Sequence, residues 1–322
     1  MAVLAGIDEA GFGPLLGPLV VSAAVLRVPE EAFDADLWSV LRGAVTRKPR
    51  KRPGTLAIGD SKKLYNRKKP NALQHLERGV LAMLATRGVK VESLRGLLGA
   101  VCPPAEAAME QYPWYAGRDL PLPHAVSATD VALAGNALGA GMKAAGVELV
   151  ELRPEVVLAG EYNRIAHATH NKAALLFGVN SRLLVHICTS APPGPLRIHA
   201  DRHGGRIRYR APLQRVFARC GLRILGESKE WSGYEITGRR RAVELYFGVE
   251  FDRHHLAVAL ASMVSKYLRE LFMELFNRFW AERVDGLAPT AGYYADGRRF
   301  LGDIAEAVDA MRLDANLLQR CR

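Results

Sequence analysis

The chain has 322 residues and is 49% hydrophobic, which allows one large domain or two smaller ones with a substantial core. Lysine and arginine number 44 against 33 acidic residues, and the formal net charge of +11 suits a polyanionic partner. Four widely spaced cysteines without a C-x-x-C pair argue against a disulfide framework and a structural zinc site, so a reducing, cytoplasmic location is expected. We predict no signal peptide, no membrane span and no obligate protein partner.

Residues 2–9 and 18–28 are predicted to form two strands joined by a turn rich in glycine and proline. The first strand is an apolar run that ends in two adjacent acids, Asp8 and Glu9. Two acids at the end of a buried strand repel each other and are costly to desolvate, and a divalent cation would relieve both problems. A solvated turn is the commoner role for such a pair, but the nearby glycines allow a ligand to approach closely.

The next segments combine loops and helices. Residues 42–54 are basic and loop-like, and either a flexible solvated loop or a contact with a nucleic-acid backbone fits them. A helix is predicted from about Asn66 to Thr86, where Pro70 is tolerable because it falls in the first turn. Residues 100–125 are rich in proline and aromatic residues and predict an irregular insertion. Ser127 is a plausible cap for a helix that ends near Ala145.

The second half alternates strands and helices. The predicted elements are a long strand or hairpin over 147–160 interrupted near Pro154, a mostly helical segment from Asn163 to about Ile187, a strand over Leu196–Asp201, short strands and helices to about Val249, and a long helix over Leu256–Arg283. Strand pairs followed by strand–helix alternation predict an α/β domain with a mixed sheet.

Asp201 is the third candidate acid, because it ends a predicted strand and precedes a Gly-Gly turn. An ordinary turn-initiating aspartate is the alternative. His199, Asp201 and His203 alternate, so a transition-metal site that includes histidine is a further interpretation, although the turn after Asp201 should break the alternation.

On the long helix, Glu270 lies within a stripe about 100° wide, opposite an apolar side that is expected to face the core. The stripe also carries Ser262, Lys266, Arg269 and Met273. From spacing alone, Lys266 and Glu270 form an ordinary i,i+4 pair on a solvated surface.

Four segments resemble the motifs of the type 2 ribonuclease H family, which comprises ribonucleases HII and HIII. They are Gly6 to Pro14 with its continuation Leu16 to Val20, Asp60 to Leu64, Ala261 to Lys266 followed by Arg269 and Glu270, and Pro289 to Tyr293. The matches fall in the family's order and span most of the chain.

The resemblance implies an α/β fold with a ribonuclease H-like mixed β-sheet flanked by helices, with insertions and a C-terminal helical segment. We therefore predict a catalytic domain over residues 1–283 and a C-terminal helical extension over 284–322. Segments near 95–145 and 205–250 have no clear counterpart in the family and are interpreted as insertions.

The resemblance also implies a metal-dependent endonuclease that hydrolyses the RNA strand of RNA–DNA hybrids. Asp8, Glu9, Asp201 and Glu270 would be its catalytic residues and metal ligands, with Asp252 the first replacement if Asp201 or Glu270 lay far from Asp8. Oxygen ligands without thiolates favour two ions of Mg²⁺ or Mn²⁺ over zinc. Two such ions about 4 Å apart polarise an attacking water and stabilise a leaving oxygen.

The resemblance assigns substrate contacts to residues from several motifs: Gly11, Phe12, Gly13, Ser61, Lys62, Lys63, Ser262, Lys266 and Tyr293. Two positions depart from the family. Ribonucleases HII usually carry Asp where Glu270 stands, and the family turn normally carries Arg or Lys where Phe12 stands. Two alternatives therefore remain, a catalytically weak hybrid-binding protein and a ribonuclease H-fold nuclease that acts on other structured nucleic acid.

Overall fold

The computed structural model describes residues 1–50, 54–238 and 241–321, so Lys51 and Arg52 of the predicted basic loop lie outside the described residues. Its strands are β1 (Ala2–Ala10), β2 (Leu19–Val28), β3 (Val45–Thr46), β4 (Leu56–Ala57), β5 (Glu148–Val157), β6 (Leu196–Asp201), β7 (Gly221–Glu227), β8 (Trp231–Thr237) and β9 (Ala242–Gly248). Its helices are α1 (Leu37–Val40), α2 (Ser61–Leu64), α3 (Gln74–Ala85), α4 (Leu94–Val101), α5 (Pro103–Ala108), α6 (Ala128–Ala144), α7 (Ala159–Thr169), α8 (Lys172–Ser190), α9 (Arg210–Val216), α10 (Leu256–Ala281), α11 (Tyr294–Asp303), α12 (Ala305–Ala310) and α13 (Ala315–Leu318).

A seven-stranded mixed sheet organises the chain, in the order β5-β2-β1-β6-β9-β8-β7. Strands β1, β6 and β9 are parallel to one another, whereas β2 and β5 on one side and β8 and β7 on the other are antiparallel to their neighbours. Helices flank this sheet, and α11, α12 and α13 form a helical segment at the C-terminus. The predicted architecture of a mixed sheet with flanking helices and a C-terminal helical segment is confirmed.

Both faces of β1 are buried, which explains its uninterrupted apolar sequence. Ala2 and Leu4 belong to a core that includes much of α10, whereas Val3, Ala5 and Ile7 belong to a second core that includes much of α8. Because successive strand residues point to opposite faces, Asp8 is on the α10 side and Glu9 on the other.

Helix α10 crosses β1 at very close range, at Gly6. A Cβ atom on Gly6 would lie 2.1 Å from the backbone of Ala257 and Val258, so only glycine permits this approach. The contact fixes the next two turns of α10 beside the end of β1. This is how Ser262 and Ser265 reach the neighbourhood of Asp8.

One helix prediction requires correction. The helix expected from Asn66 begins only at Gln74, because Asn71 has a positive φ of 54° and interrupts the α-helical backbone. The segment from Asn163 to about Ile187 is mostly helical, as predicted, and it comprises parts of α7 and α8, which are separated because His170 adopts a left-handed conformation and Asn171 caps α8 with its side chain.

The strand over 147–160 is continuous through Pro154. Strand β5 is at the edge of the sheet, where proline is tolerated because the missing N–H removes no bond from a second neighbour. The region 100–125 is likewise more regular than expected, since it contains α5, and Trp114 and Tyr115 pack against α10.

The stripe of α10 that was expected to face away from the core is largely buried. Ser262, Arg269 and Met273 are 5%, 1% and 2% exposed, so the alternative that spacing alone gave, a solvated face, is wrong. Gly11, Gly17 and Gly292 lie against this stripe and leave space for its long side chains.

In the described part of the chain, one helix, α8, is long and apolar enough by composition to cross a membrane. Core helices of soluble proteins satisfy the same criterion. In α8, Leu175, Leu183, Leu184 and Ile187 are buried in the second core, which is the role expected of a core helix.

Candidate active site

Acidic side chains gather where the three parallel strands of the sheet end. Asp8 and Glu9 are near the carboxyl end of β1, Asp201 is the last residue of β6, and Asp252 is in a short 3-10 helix that follows β9. Because the carboxyl ends of parallel strands meet at one edge, the sheet itself brings these acids together. They line a common cavity of about 390 Å³.

The cavity contains most of the residues that the sequence predicted for the site. Of these it is lined by Asp8, Glu9, Gly11, Phe12, Gly13, Ser61, Lys62, Asp201, Ser262, Lys266 and Tyr293. Asp60, Arg202, Asp252 and Arg253 also line it. Glu270 and Lys63 do not line this cavity.

Asp8 is held by two serines of α10. Ser262 bonds to its carboxylate and to the hydroxyl of Ser61, whose oxygen is 2.9 Å away. Ser265 donates to the Asp8 carbonyl oxygen at 3.0 Å, and the Glu9 amide donates to the Asp8 carboxylate at 2.7 Å. The Asp8 carboxylate is therefore fixed in place by neutral donors.

Burial and mutual repulsion raise the pKa of each of the three leading acids. Burial raises the pKa of Asp8 well above its usual value, and the charges of Glu9 and Asp201 add to this. Burial followed by the charge of Asp201 raises the pKa of Glu9 to about 8. The pKa of Asp201 rises to about 6, through burial and then the charge of Asp252. Such clustered carboxyl groups with raised pKa values are typical of functional sites.

Asp252 extends the acidic cluster, and basic side chains partly offset it. Burial and then the charge of Asp60 raise the pKa of Asp252. Arg253 is 3.4 Å from Asp60, and the charge of Lys62 lowers the pKa values of Glu9 and Asp201. The cavity therefore holds more acidic than basic side chains.

Glu270 lies in a neighbouring depression, away from the other acids. Its carboxylate accepts bonds from Tyr65 at 2.6 Å, from Lys266 at 2.7 Å and from Arg269 at 3.2 Å. Burial alone would raise its pKa, but Lys266 and Arg269 outweigh burial and lower it. Glu270 is thus a neutralised carboxylate within an ion-pair network, and the structure brings Asp252 rather than Glu270 to the acidic cavity.

The predicted substrate residues form the rim of the cavity. Gly11 has a positive φ of 87°, which favours glycine, and Phe12 packs partly against the second core. Tyr293 is 54% exposed, and Lys62 is exposed. Lys63 turns to Asp60, 3.6 Å away, instead of the cavity.

The predicted histidine alternative does not combine with the acids. His199 stacks on His255 at 3.6 Å, and His203 is enclosed by Phe177, Tyr209 and Phe247. Neither His199 nor His203 lines the cavity.

The acids of the cavity are the side chains that could hold a metal ion. Within residues 1–50, 54–238 and 241–321, no three Asp, Glu, His or Cys side chains are arranged closely enough to hold a metal ion. The donor chemistry nevertheless fits a hard cation, since every acid in the cavity offers oxygen and repels its neighbours in a buried setting.

Sequence reasoning ranked Asp252 only as a replacement and did not select Asp60. Asp252 could have been found from its position, because it follows the third strand that ends at this edge and directly precedes α10. Asp60 caps α2 through the Lys62 amide, and only the tertiary fold brings that cap to the cavity.

No protein-family model and no curated protein matches this chain. Among solved structures, the chain is similar to ribonuclease H2 from Pyrococcus horikoshii OT3, with 15% identity and a TM-score of 0.47 over 98% of this chain and 92% of that one. It is also similar to Bst-RNase HIII in complex with Mn²⁺, with 15% identity and a TM-score of 0.44 over 99% of this chain and 66% of that one. A third similar structure is RNase H3 of Aquifex aeolicus, with 14% identity and a TM-score of 0.39 over 87% of this chain and 62% of that one. The strand order shows the α/β fold with a mixed sheet flanked by helices that the sequence predicted.

Proposed function

We propose that this chain is a metal-dependent endonuclease that hydrolyses the RNA strand of RNA–DNA hybrids. The observation that carries the proposal is the convergence of Asp8, Glu9, Asp201 and Asp252 on one cavity at the carboxyl edge of the sheet. Isolating four acids in this way is costly in free energy, and a cation-dependent reaction gives a reason to retain them.

Asp8, Glu9, Asp201 and Asp252 would hold one or two ions of Mg²⁺ or Mn²⁺. When bound, such ions supply an activated water and neutralise the charge that develops on a phosphodiester. Ser262 orients the Asp8 carboxylate for this role. Glu270, which the resemblance assigned to the fourth position, would instead hold Lys266 and Arg269 in place.

The rim of the cavity offers the contacts that a nucleic acid needs. Lys62 is an exposed cation beside the acids and would contact a backbone phosphate. The Gly11–Gly13 backbone and Tyr293 would contact the ribose next to the cleaved bond. The 2′-hydroxyl of that ribose is what distinguishes RNA from DNA.

A substrate panel tests the proposal. The purified protein, with Mg²⁺ or Mn²⁺, is incubated with RNA–DNA hybrid, double-stranded DNA and double-stranded RNA of one sequence, with Asp8→Asn as the inactive control. We expect cleavage of the hybrid alone, on its RNA strand, and none by the variant. Cleavage of either homoduplex instead would indicate the broader nuclease. Tight hybrid binding without cleavage would indicate the binding protein.

A further inference from the structure

The turn over residues 11–14 is held from beneath by a buried arginine near the C-terminus. Arg320 is 1% exposed, and its Nη1 donates to the Gly11 carbonyl oxygen at 2.7 Å. Its Nη2 donates to the Pro14 carbonyl oxygen, and its backbone N–H donates to the Leu15 carbonyl oxygen at 3.0 Å. One residue thus fixes three successive parts of the turn, across about 300 residues of sequence.

The segment that carries Arg320 is itself fastened to the fold. Asn163, buried on α7, donates from Nδ2 to the carbonyl oxygens of Asn316 and Gln319, each at 2.8 Å. Its Oδ1 accepts from the Cys321 amide at 2.6 Å. The guanidinium of Arg320 also lies over the ring of Tyr162, 4.7 Å from its centroid. The position of Arg320 is therefore well determined.

A second buried arginine lies against the same turn. Arg269 fills the space beside Gly11, where a Cβ atom would be 2.5 Å from its Nε. Arg269 pairs with Glu270, but Arg320 has no acidic partner among the described residues. Burial and then the charge of Arg269 lower the pKa of Arg320 to about 9. A buried cation without a carboxylate partner is costly for stability, which suggests a purpose beyond packing.

The bond to Arg320 determines where the next amide points. In a trans peptide the C=O and the following N–H point in opposite directions. Because the Gly11 carbonyl points to Arg320, the Phe12 N–H points away from Arg320, which does not line the cavity, whereas Phe12 does. Among the described residues the Phe12 N–H donates to no acceptor.

We propose that Arg320 is a positioning residue that presents the Phe12 N–H to a phosphate oxygen of the substrate. Together with Arg269 it supplies, from beneath the turn, positive charge that the side chain of Phe12 does not provide. This inference rests on the proposed function, because it assigns a substrate contact to the same cavity.

The first test needs no substrate. Amide hydrogen exchange of residues 11–16 is compared in the unmodified protein, Arg320→Met, Arg320→Lys and the control Arg312→Met, which removes an exposed cation from the same C-terminal segment. We expect exchange at Leu15 and Leu16 to be about 10-fold faster in Arg320→Met, intermediate in Arg320→Lys and unchanged in the control. If Arg320→Met does not fold, the exchange rates of Leu15 and Leu16 in Arg320→Lys provide the test instead. Unchanged exchange in a folded variant would overturn the proposal.

The second test uses the hybrid at several salt concentrations. In Arg320→Met the Phe12 N–H should no longer be held toward the phosphate, so KM should rise about 10-fold while kcat stays within about 3-fold. The slope of log affinity against log salt should fall by up to about one. A normal KM and salt slope despite faster exchange would refute the phosphate contact. If the unmodified protein does not cleave the hybrid, the proposed function fails, whereas the exchange experiment still decides whether Arg320 holds the turn.

Discussion

Asp252 and Asp201 face the same cavity, and after burial the charge of Asp252 is the largest cause of the raised pKa of Asp201. Asp201 ends β6 and Asp252 follows the adjacent parallel strand β9, so the sheet determines their proximity. Glu270 shows the opposite electrostatic behaviour, since Lys266 and Arg269 lower its pKa in spite of burial.

The first prediction separates the two candidates for the fourth acid. Asp252→Asn should reduce hybrid cleavage by more than about 100-fold, because the loss of a ligand exceeds the 10–100-fold typical of outer-shell changes. Glu270→Gln should retain activity within about 10-fold and lower Tm, because it weakens the network with Lys266 and Arg269. Steady-state cleavage and thermal denaturation measure both effects.

Glu250→Gln, a change at an exposed acid of the same rim, is the control. Inactive Glu270→Gln beside active Asp252→Asn would restore the original assignment.

The second prediction concerns pH. Folding raises the pKa of Glu9 from 4.5 to about 8, so the folded protein binds a proton that the unfolded chain releases. The free energy of unfolding of the metal-free protein should therefore fall as pH rises from about 4.5 to about 8, and level off above. Glu9→Gln should reduce this slope and stabilise the protein at pH 9 by at least about 1 kcal/mol.

Thermal denaturation in EDTA between about pH 5 and pH 9 provides the measurement, with Glu148→Gln on an exposed acid as the control. Added Mn²⁺ should flatten the pH dependence, because the cation offsets the repulsion and displaces protons. A stability that increases with pH over this range would contradict the assigned burial of Glu9.

The third prediction concerns salt. If Lys62 contacts a phosphate, Lys62→Met should lower the slope of log affinity against log salt by up to about one, because one fewer counterion is released. Hybrid binding in Ca²⁺, at salt concentrations from about 50 to 200 mM, gives the slope. Lys143→Met removes an exposed lysine from α6 and should leave it unchanged. An affinity for the hybrid that is nearly independent of salt would rule out contacts between basic side chains and the phosphates of the nucleic acid.

The fourth prediction concerns Phe12. Its side chain cannot donate a charge-assisted hydrogen bond and packs partly against the second core, so we expect cleavage of hybrids with several ribonucleotides and poor cleavage at a single ribonucleotide in duplex DNA. Phe12→Arg should improve the single-ribonucleotide reaction, measured as kcat/KM on the two substrates. Efficient single-ribonucleotide cleavage by the unmodified protein would disprove this.

The fifth prediction concerns the contact that brings α10 to the site. Gly6→Ala should destabilise the protein by about 3 kcal/mol or more, because the added Cβ meets the backbone of α10, which cannot move aside as a flexible side chain would. Gly99→Ala, in α4 with open space at its Cβ position, should be neutral or stabilising. Urea denaturation of both variants gives the comparison, and equal stabilities would show that the sheet and α10 are not packed as described.

The sequence by itself determined the sheet, the long helix and three of the acids in the cavity, because these follow from local patterns. Apolar runs that end in Asp8 and Asp201 identify strand ends, and α10 begins at Leu256, as predicted. The family-like motifs located the Gly11 turn, Lys62, Ser262 and Tyr293, which line the same cavity.

The tertiary structure alone decided which further side chains meet that cavity. Asp252 and Glu270 are both acids near or on α10, and the family-like motif favoured Glu270, although only Asp252 of the two lines the cavity. The close packing of α10 on Gly6 sets its rotation, which directs Ser262 toward Asp8 and leaves Glu270 beside Tyr65. Arg320 is placed under the turn through contacts with distant residues. Such long-range packing depends on shape and on hydrogen bonds across the fold, and no local periodicity encodes it.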